Sequence, residues 1–227
     1  WQKLEAAGRK LATMPIEIDF RGKLKVSQML AAARRLKRKW EREGIEPGVI
    51  IIDHFGMISP EKRVNDKVVE ASQIADDVLD MAKVLDMPVV LLCQLSRDID
   101  KRDDKRPNLG DLKWSGSLEE NAAAVIFCYR PEYYNKTPAQ DAKGDAWKKY
   151  EKIKELFTDR LFLLLEKNRN GRAHQSIKVF CSIGHNAIQN MGEAAPANRT
   201  IDYSASRLAQ EDDAAMEALN DPGSSFE

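Results

Sequence analysis

Uninterrupted apolar runs and helical repeats of apolar residues alternate along this chain. The run Val49–Ile52 contains three β-branched isoleucines, which favours a strand over a helix. A run without polar alternation is typical of a strand covered on both faces, as in a parallel α/β sheet. The run ends on Asp53, so the pattern predicts a carboxylate at the carboxyl end of a strand.

The next two segments complete a βαβ unit. Val68–Leu85 repeats apolar residues at helical spacing, and the apolar run Val89–Cys93 ends on Gln94. Short connections favour parallel neighbouring strands joined by a right-handed crossover. Asp53 and Gln94 are therefore expected at the same edge of the sheet, where α/β folds bind ligands.

A long polar segment, Ser96–Gly116, precedes the remaining strands. A loop of this length in a compact domain is usually either functional or disordered. The apolar runs Ala122–Tyr129 and Leu161–Leu165 predict two more strands. Asn170-Gly171 is a strong hairpin signal, which makes Ser176–Cys181 an antiparallel partner. The pattern predicts an α/β fold with a mostly parallel sheet flanked by helices and an antiparallel hairpin at the end.

The amino-terminal part predicts a helix, a strand and a second helix. Met14–Phe20 alternates apolar and acidic residues, as a half-buried strand does. Ser27 is a candidate N-cap for a helix over Gln28–Glu43. The basic run of this helix, ARRLKRKW, is compatible with a nucleic-acid patch. A solvated helix face, with the apolar residues inward, is the interpretation that we favour.

Charge is distributed unevenly along the chain, although the formal net charge is zero. Residues 1–47 hold twelve Lys or Arg against six Asp or Glu, and residues 193–227 hold two against eight. This asymmetry argues against a uniformly basic nucleic-acid-binding coat but allows a local basic site. Because residues 193–227 have few large apolar side chains, we expect an acidic, disordered tail after a domain over residues 1–192.

The composition indicates a cytoplasmic protein. No apolar run approaches the ~20 residues of a membrane helix, and no secretory signal is visible. The three cysteines are far apart and lie in apolar, strand-like runs. Buried free thiols in a reducing compartment are therefore expected, and a zinc site is not.

Three blocks of sequence together resemble a known family. In order they are GVIIIDHFGMI, then PVVLLCQLSRDIDKRDDKRPNLGDLKWSGSLEENAAAVIFCYRPEYY, then FLLLEKNRNG. Over roughly Gly44–Cys181 the chain closely resembles the C-terminal motor domain of replicative DNA helicases of the DnaB family. The resemblance implies a RecA-like P-loop NTPase core, a homo-hexameric ring, ATP and Mg²⁺ as cofactors, and single-stranded DNA as a partner.

The resemblance also implies roles for four nucleotide-site residues. Asp53 matches the Walker B carboxylate, which holds Mg²⁺, and one carboxylate suffices for a cation that keeps several waters. Gln94 matches the glutamine that reads the γ-phosphate, although an amide bonded to the backbone is a fair alternative. Lys167 and Arg169 match the pair that reaches the nucleotide site of the neighbouring subunit, with the arginine as a finger. Basic residues at the rim of a hairpin are otherwise often just solvated.

Lys113, Trp114, Ser115 and Gly116 match the loop that grips single-stranded DNA in the pore of the ring. Such a grip acts mostly on phosphates and therefore tolerates any base sequence. The family commonly has Arg-Glu at the first two of these positions, where this chain has Lys-Trp. Trp114 either stacks on a base or packs under the loop, and the sequence leaves both open.

One motif of the family is missing. No Gly-x-x-x-x-Gly-Lys-Ser/Thr phosphate loop occurs in the 227 residues, and nucleotide affinity without it should be very low. We therefore expect a truncated piece of the helicase that is inactive by itself, with primase or helicase-loader contacts through absent regions. The alternatives are a non-catalytic RecA-like assembly module, or a related RecA-fold ATPase of recombination or helicase loading.

Overall fold

The computed structural model describes residues 1–113, 115–139, 144–185 and 187–191, with the side chains of Ser115 and His185 left aside. Its helices are α1 (Gln2–Ala12), α2 (Val26–Arg42), α3 (Lys67–Leu85), α4 (Ser115–Asn121), α5 (Pro131–Tyr134) and α6 (Gly144–Phe157). Its strands are β1 (Ile50–Ile52), β2 (Val89–Leu91), β3 (Ala124–Tyr129), β4 (Arg160–Asn168), β5 (Gln175–Ser182) and β6 (Ala187–Asn190). The described residues divide into two compact units, 1–94 with 116–121, and 95–113 and 115 with the described residues from 122 onward.

The first unit contains the predicted βαβ arrangement. Strands β1 and β2 pair in parallel, with Ile52 opposite Leu91, and helix α3 connects them. Helices α2 and α3 pack on one face of this pair, where Ile52, Met81 and Leu85 are buried in a common core. The parallel pairing confirms that Asp53 and Gln94 follow neighbouring strands at the same edge.

The opposite face of β1 and β2 is apolar and exposed. Ile51 is 65% exposed, and Val49, Val90 and Leu92 are also exposed. Successive side chains of a strand point to opposite faces, and both helices pack on the face of Ile50 and Ile52. The expectation that this strand is covered on both faces is therefore wrong within the described part of the chain.

The second unit contains an antiparallel sheet in the order β3-β4-β5-β6. The predicted hairpin is confirmed, because β4 and β5 pair antiparallel with Leu163 opposite Ile177. Strand β4 is buried on both faces, with Phe162 and Leu164 in one apolar cluster and Leu161 in another. The α/β class is confirmed, and the antiparallel part extends beyond the predicted hairpin to β3 and β6.

Two predictions for the amino-terminal part are wrong. Met14–Phe20 forms no strand, and its apolar side chains are exposed, because no described strand pairs with it. Helix α2 begins at Val26, and Lys25 is its N-cap, with the Lys25 backbone N–H donating to Gln28 Oε1 at 3.0 Å. Ser27 lies in the first turn, where its backbone N–H donates to Glu61 Oε1 at 2.9 Å. Hydrogen bonds from the Ser27 side chain and backbone lower the pKa of Glu61.

The remaining surface features bear on the other predictions. The arginines of the basic run on α2 are exposed, while Leu30 and Ala33 pack against the core, as a solvated helix face requires. The three cysteines are free, but only Cys181 is buried and Cys128 is exposed. Among the described helices, none has the length and apolar character needed to cross a lipid bilayer. The predicted acidic tail lies outside the described residues.

Candidate functional site

Asp53 and Gln94 emerge from the ends of the two parallel strands. The Leu92 backbone N–H donates to the Ile52 carbonyl oxygen at 3.0 Å, and the Phe55 N–H donates to the Leu92 carbonyl oxygen at 2.8 Å. These bonds keep the two chain segments together beyond the strands. The side chains of Asp53 and Gln94 are exposed, and neither makes a hydrogen bond or ion pair with a described residue. Both polar groups are therefore open to a ligand.

The turn after Asp53 is fixed by a histidine. His54 Nδ1 accepts a hydrogen bond from the Gly56 N–H at 3.1 Å and caps a short 3-10 turn. A Cβ at Gly56 would lie 2.9 Å from His54 Cε1, so a larger residue would displace the imidazole that caps the turn. Phe55 is buried in the same core as Ile52. The Asp53 carboxylate thus stands on a backbone that buried residues hold on both sides.

The polar segment between β2 and α4 is folded. It contains two 3-10 turns, Arg97–Lys101 and Leu109–Asp111, and it buries Ile99 and Pro107. Of the two interpretations that its length allowed, disorder is wrong for the part that the structure describes. Lys113 is exposed at the end of this segment.

The predicted DNA-binding residues continue from Lys113 into helix α4. Trp114 lies outside the described residues, Ser115 begins α4, and Gly116 is exposed in its first turn. Helix α4 is tied to α3 in the first unit by two side-chain hydrogen bonds. They join Ser117 Oγ to Ser72 Oγ at 2.5 Å and Asn121 Nδ2 to Asp76 Oδ1 at 2.6 Å.

Lys167 and Arg169 lie at the turn of the β4–β5 hairpin. Lys167 is half-buried opposite Val125 on β3, and Arg169 is exposed just after the strand. The Arg169 backbone N–H donates to the Ala123 carbonyl oxygen at 2.8 Å, which fixes the backbone that carries the guanidinium. Neither cation is folded into the interior, so both satisfy the geometric condition for a contact with a neighbouring molecule.

Further hydrogen bonds close this hairpin turn. The Asn170 N–H donates to Asn168 Oδ1 at 3.2 Å, and Asn168 Nδ2 donates to the Arg172 carbonyl oxygen at 3.4 Å. A Cβ at Gly171 would lie 2.9 Å from Asn168 Nδ2, so a larger residue would have to displace the Asn168 amide. His174 Nδ1 lies 3.0 Å from Glu166 Oε2 across the hairpin. The asparagine at position 168 thus shapes the turn beside the two cations.

The exposed carboxylate of Asp53 suits magnesium better than a metal that takes several protein ligands. Within the described ranges there is no cluster of three or more His, Cys, Asp or Glu side chains able to hold a metal ion. A single exposed carboxylate at a strand end fits Mg²⁺, which retains most of its waters and takes few protein oxygens. The Asp53 carboxylate is therefore compatible with the metal that the resemblance implies.

The DnaB-like helicase C terminal domain family matches residues 1–184 of this chain. The chain belongs to this family. The replicative DNA helicase DnaB of Rickettsia conorii is 35% identical over 174 residues, which cover 75% of this chain and 34% of that relative. The replicative DNA helicase DnaB of Geobacillus stearothermophilus is 39% identical over 137 residues, covering 60% of this chain and 29% of the relative. The chain thus spans about a third of the length of these relatives.

Solved structures of DnaB-like proteins share the fold. One, of a DnaB-like replicative helicase and its interactions with primase, has a TM-score of 0.69 and 28% identity. The match covers 85% of this chain and 41% of the solved chain. A second solved structure, of an ATPase domain, also has a TM-score of 0.69 and 28% identity, and the match covers 85% of this chain and 60% of the solved chain. These matches confirm the RecA-like fold of the DnaB family.

Two residues of the folded polar segment received no role from the sequence. Asp111 is 6% exposed, and Arg102 Nη2 lies 2.8 Å from Asp111 Oδ2. Both occur in a stretch so rich in charges that neither stands out. The available signal was the position of Asp111 between Leu109 and Leu112, since two leucines in a polar segment indicate that this part is anchored in the core.

Proposed function

We propose that this chain is the C-terminal part of a ring-forming, ATP-dependent replicative DNA helicase, which unwinds duplex DNA by translocating on single-stranded DNA. The observation that carries the proposal is the shared edge of Asp53 and Gln94. A carboxylate and an amide without described partners follow adjacent parallel strands there, in a chain of the DnaB-like family. Relatives that match this chain over most of its length are named replicative DNA helicases.

In this proposal Asp53 holds the Mg²⁺ of bound ATP, and Gln94 contacts the γ-phosphate. The amide suits this task because it can donate to a phosphate oxygen and accept from a water. ATP supplies the free energy for movement when it is hydrolysed. The phosphate cradle has to come from another stretch of protein, since these 227 residues contain no phosphate-loop motif.

Lys167 and Arg169 act on the nucleotide of the neighbouring subunit in a homo-hexameric ring. Negative charge on the phosphoryl oxygens is stabilised by a cation supplied from the next subunit, as with other arginine fingers. The support is the closed hairpin turn, which presents the exposed Arg169 on a fixed backbone. We further propose that regions other than this chain contact a primase or a helicase loader, as one solved relative interacts with primase.

The segment from Lys113 to Gly116 grips single-stranded DNA. Lys113 and the exposed backbone at Gly116 supply the positive charge and the N–H groups that a phosphate contact needs. Trp114 adds an aromatic surface for base stacking. A grip of this kind has no base preference, which suits a translocating protein.

Charge reversal at Lys113 tests this function on the chain itself. Binding of a fluorescein-labelled dT oligonucleotide is measured by anisotropy over a series of NaCl concentrations. We expect Lys113→Glu to weaken binding about tenfold and to lower the slope of log K against log[salt] by about 0.7 for one lost phosphate contact. Lys148→Glu on the exposed surface of α6 makes the same change in net charge and should leave both quantities unchanged.

Equal binding by the Lys113→Glu variant and the wild-type chain would remove the DNA role from this segment. A loss of equal size in the Lys148→Glu control would show that the net charge of the chain matters rather than the site. The non-catalytic assembly module is the second candidate, and the missing phosphate-loop motif favours it. That module would pair with a complete subunit and supply Arg169 in trans without a nucleotide site of its own.

A further inference from the structure

The two ends of the polar segment that carries Lys113 are paired with each other. Leu95 and Leu112 form an antiparallel bridge, and the Ser96 backbone N–H donates to the Asp111 carbonyl oxygen at 2.8 Å. Gln94 directly precedes the first residue of this bridge, and Lys113 directly follows the last. Residues 95–112 therefore form a closed loop, and its base lies next in sequence to a predicted nucleotide contact and a predicted DNA contact.

The buried carboxylate of Asp111 binds other residues of this loop. Asp111 is the one charged or polar residue classed as buried in the part of the chain that the structure describes. Its Oδ2 accepts from Arg102 Nη2 at 2.8 Å and from the Asn108 backbone N–H at 2.9 Å. A carboxylate removed from water needs such partners, and charge-assisted hydrogen bonds are the strong ones.

Arg102 also binds the backbone of the loop. The same Nη2 donates to the Arg106 carbonyl oxygen at 3.0 Å, while Lys105 Nζ donates to the carbonyl oxygens of Arg102 and Asp100. The guanidinium therefore joins the 3-10 turn that ends at Lys101 to the turn that ends at Asp111. Removing it would leave the two turns joined only at the base of the loop.

Apolar side chains fix the base of the loop in the core of the second unit. Leu95, Leu109 and Leu112 pack against the cluster that contains Phe162 and Leu164. Tyr134 packs on the same cluster, and burial, Asp100 and Asp111 all raise its pKa. The loop is thus held by leucines on the core side and by the ion pair within, which leaves Lys113 at the end of a rigid segment.

We propose that Arg102 and Asp111 are positioning residues, whose ion pair holds Lys113 in place for single-stranded DNA. This inference rests on the DNA role proposed above for Lys113. Neither residue of the pair touches DNA itself. Their effect on binding passes through the backbone of Asp111 and Leu112 to the lysine that follows.

Anisotropy titrations with the labelled dT oligonucleotide test the inference on the full chain. We expect Arg102→Met to weaken binding about tenfold and to lower the salt slope by about 0.7, as removal of the Lys113 contact does. Asp111→Asn, which removes the charge but nearly keeps the shape, should act in the same direction. Lys101→Met removes the same charge from an exposed site in the same loop and should change neither quantity.

The double variant distinguishes positioning from a general loss of stability. If Arg102 acts through Lys113, adding Lys113→Glu to Arg102→Met should weaken binding no more than Lys113→Glu alone. All titrations are made where circular dichroism shows each variant fully folded. Hydrogen exchange should show faster exchange at Ser96 and Asn108 in Arg102→Met. If that variant does not fold, Arg102→Lys, which keeps the charge without the planar fork, takes its place with a smaller expected loss.

The outcomes separate this inference from the proposed function. If Lys113→Glu weakens binding while Arg102→Met and Asp111→Asn leave the affinity and salt slope unchanged, the positioning role is wrong and the DNA role stands. If none of the variants, including Lys113→Glu, changes DNA binding, the DNA role of the segment itself is wrong. Additive losses in the double variant would mean that Arg102 acts on binding independently of Lys113, which also overturns the inference.

Discussion

The strand pair that ends at Asp53 and Gln94 and the hairpin that carries Arg169 differ in how they are held. Strands β1 and β2 have three paired residues each, and one of their faces is apolar and exposed. Strand β4 has nine residues, and apolar clusters cover both of its faces. The hairpin is thus preorganised within this chain, whereas the β1–β2 edge presents its two polar side chains on a sheet that is covered on one side only.

This difference indicates which parts of the proposed site this chain completes. The β4–β5 hairpin presents Arg169 on a backbone that hydrogen bonds within the hairpin and to Ala123 hold in place. The edge with Asp53 and Gln94 offers ligand groups but lacks a phosphate cradle, because no phosphate-loop motif is present. Under the proposed function, this chain would therefore supply the cation for a neighbour's nucleotide and leave the phosphate cradle to another stretch of protein.

The largest expected effect follows from removing Arg169, the proposed arginine finger. Residues 44–181 of this chain would replace the matching segment of the Geobacillus stearothermophilus relative, and DNA-stimulated ATP hydrolysis would be measured. We expect Arg169→Ala to lower turnover about 10³–10⁵-fold, because the charge that develops on the phosphoryl group loses its cation. Binding of a fluorescent ATP analogue should be nearly unchanged, and Arg172→Ala in the same hairpin should leave turnover intact.

Mixed rings test whether the finger acts in trans. Subunits with Arg169→Ala and subunits with Asp53→Ala are each expected to be inactive alone. When they are mixed, some interfaces combine an intact carboxylate with an intact arginine from the next subunit, so part of the activity should return. Mixtures that stay inactive, or an Arg169→Ala ring with normal turnover, would contradict the role assigned to the hairpin.

The next largest expected effect is weak nucleotide binding by the unmodified chain. Without a phosphate loop, calorimetry should show no binding of Mg-ATP in the micromolar range, which places the dissociation constant at about 1 mM or above, a free energy of about −4 kcal/mol at best. Micromolar binding would show that the β1–β2 edge is a complete site, and the contrast with the hairpin would then disappear.

Substitutions of apolar residues in β4 and β1 compare how much each strand contributes to the free energy of unfolding. Leu164 on β4 is 0% exposed, so Leu164→Ala should lower the free energy of unfolding by about 2–5 kcal/mol. Ile51 on β1 is largely exposed, so Ile51→Ala should cost less than about 1 kcal/mol. Urea denaturation of the two variants measures both values. Equal losses would show that the outer face of β1 is covered in solution.

Local sequence pattern predicted much of this fold, for identifiable reasons. Three patterns depend only on residues close in sequence, and each produced the expected element. They are the isoleucine run, the helical spacing of Val68–Leu85, and Asn170-Gly171. Met14–Phe20 has the alternation of a strand but forms none, because alternation specifies one face and does not supply a pairing edge. The exposed face of Ile51 was missed for a similar reason, since coverage depends on which segments pack there.

The sequence also predicted only part of the candidate site. The edge shared by Asp53 and Gln94 follows from the connectivity of a βαβ unit, so the sequence was sufficient to predict it. The burial of Asp111 was missed: the leucines beside it indicate that this part is anchored, but its partner lies nine residues away in a segment of many charges. The roles of these residues toward ATP and DNA came from the family resemblance and remain predictions.

The smallest expected effect concerns the charged face of helix α3. Burial raises the pKa of Asp77, and the neighbouring carboxylates of Glu61, Asp76 and Asp80 raise it further. Because the pKa in the folded state lies above that in the unfolded state, the ionised group destabilises the folded chain at neutral pH. Asp77→Asn should therefore increase the free energy of unfolding at pH 7, by no more than about 0.5 kcal/mol given screening by water and salt.

The pH dependence of this gain identifies its cause. Below the usual pKa of an aspartate, about 4, the carboxyl is protonated in both states, so the advantage of Asp77→Asn should vanish. Asp145→Asn is the matched control, because Asp145 is exposed on another helix and lies 3.9 Å from Lys148, and it should bring no gain. A gain at Asp77 that persists in acid would come from packing or helix propensity. The charge on α3 would then contribute nothing to the stability of the unit that carries Asp53.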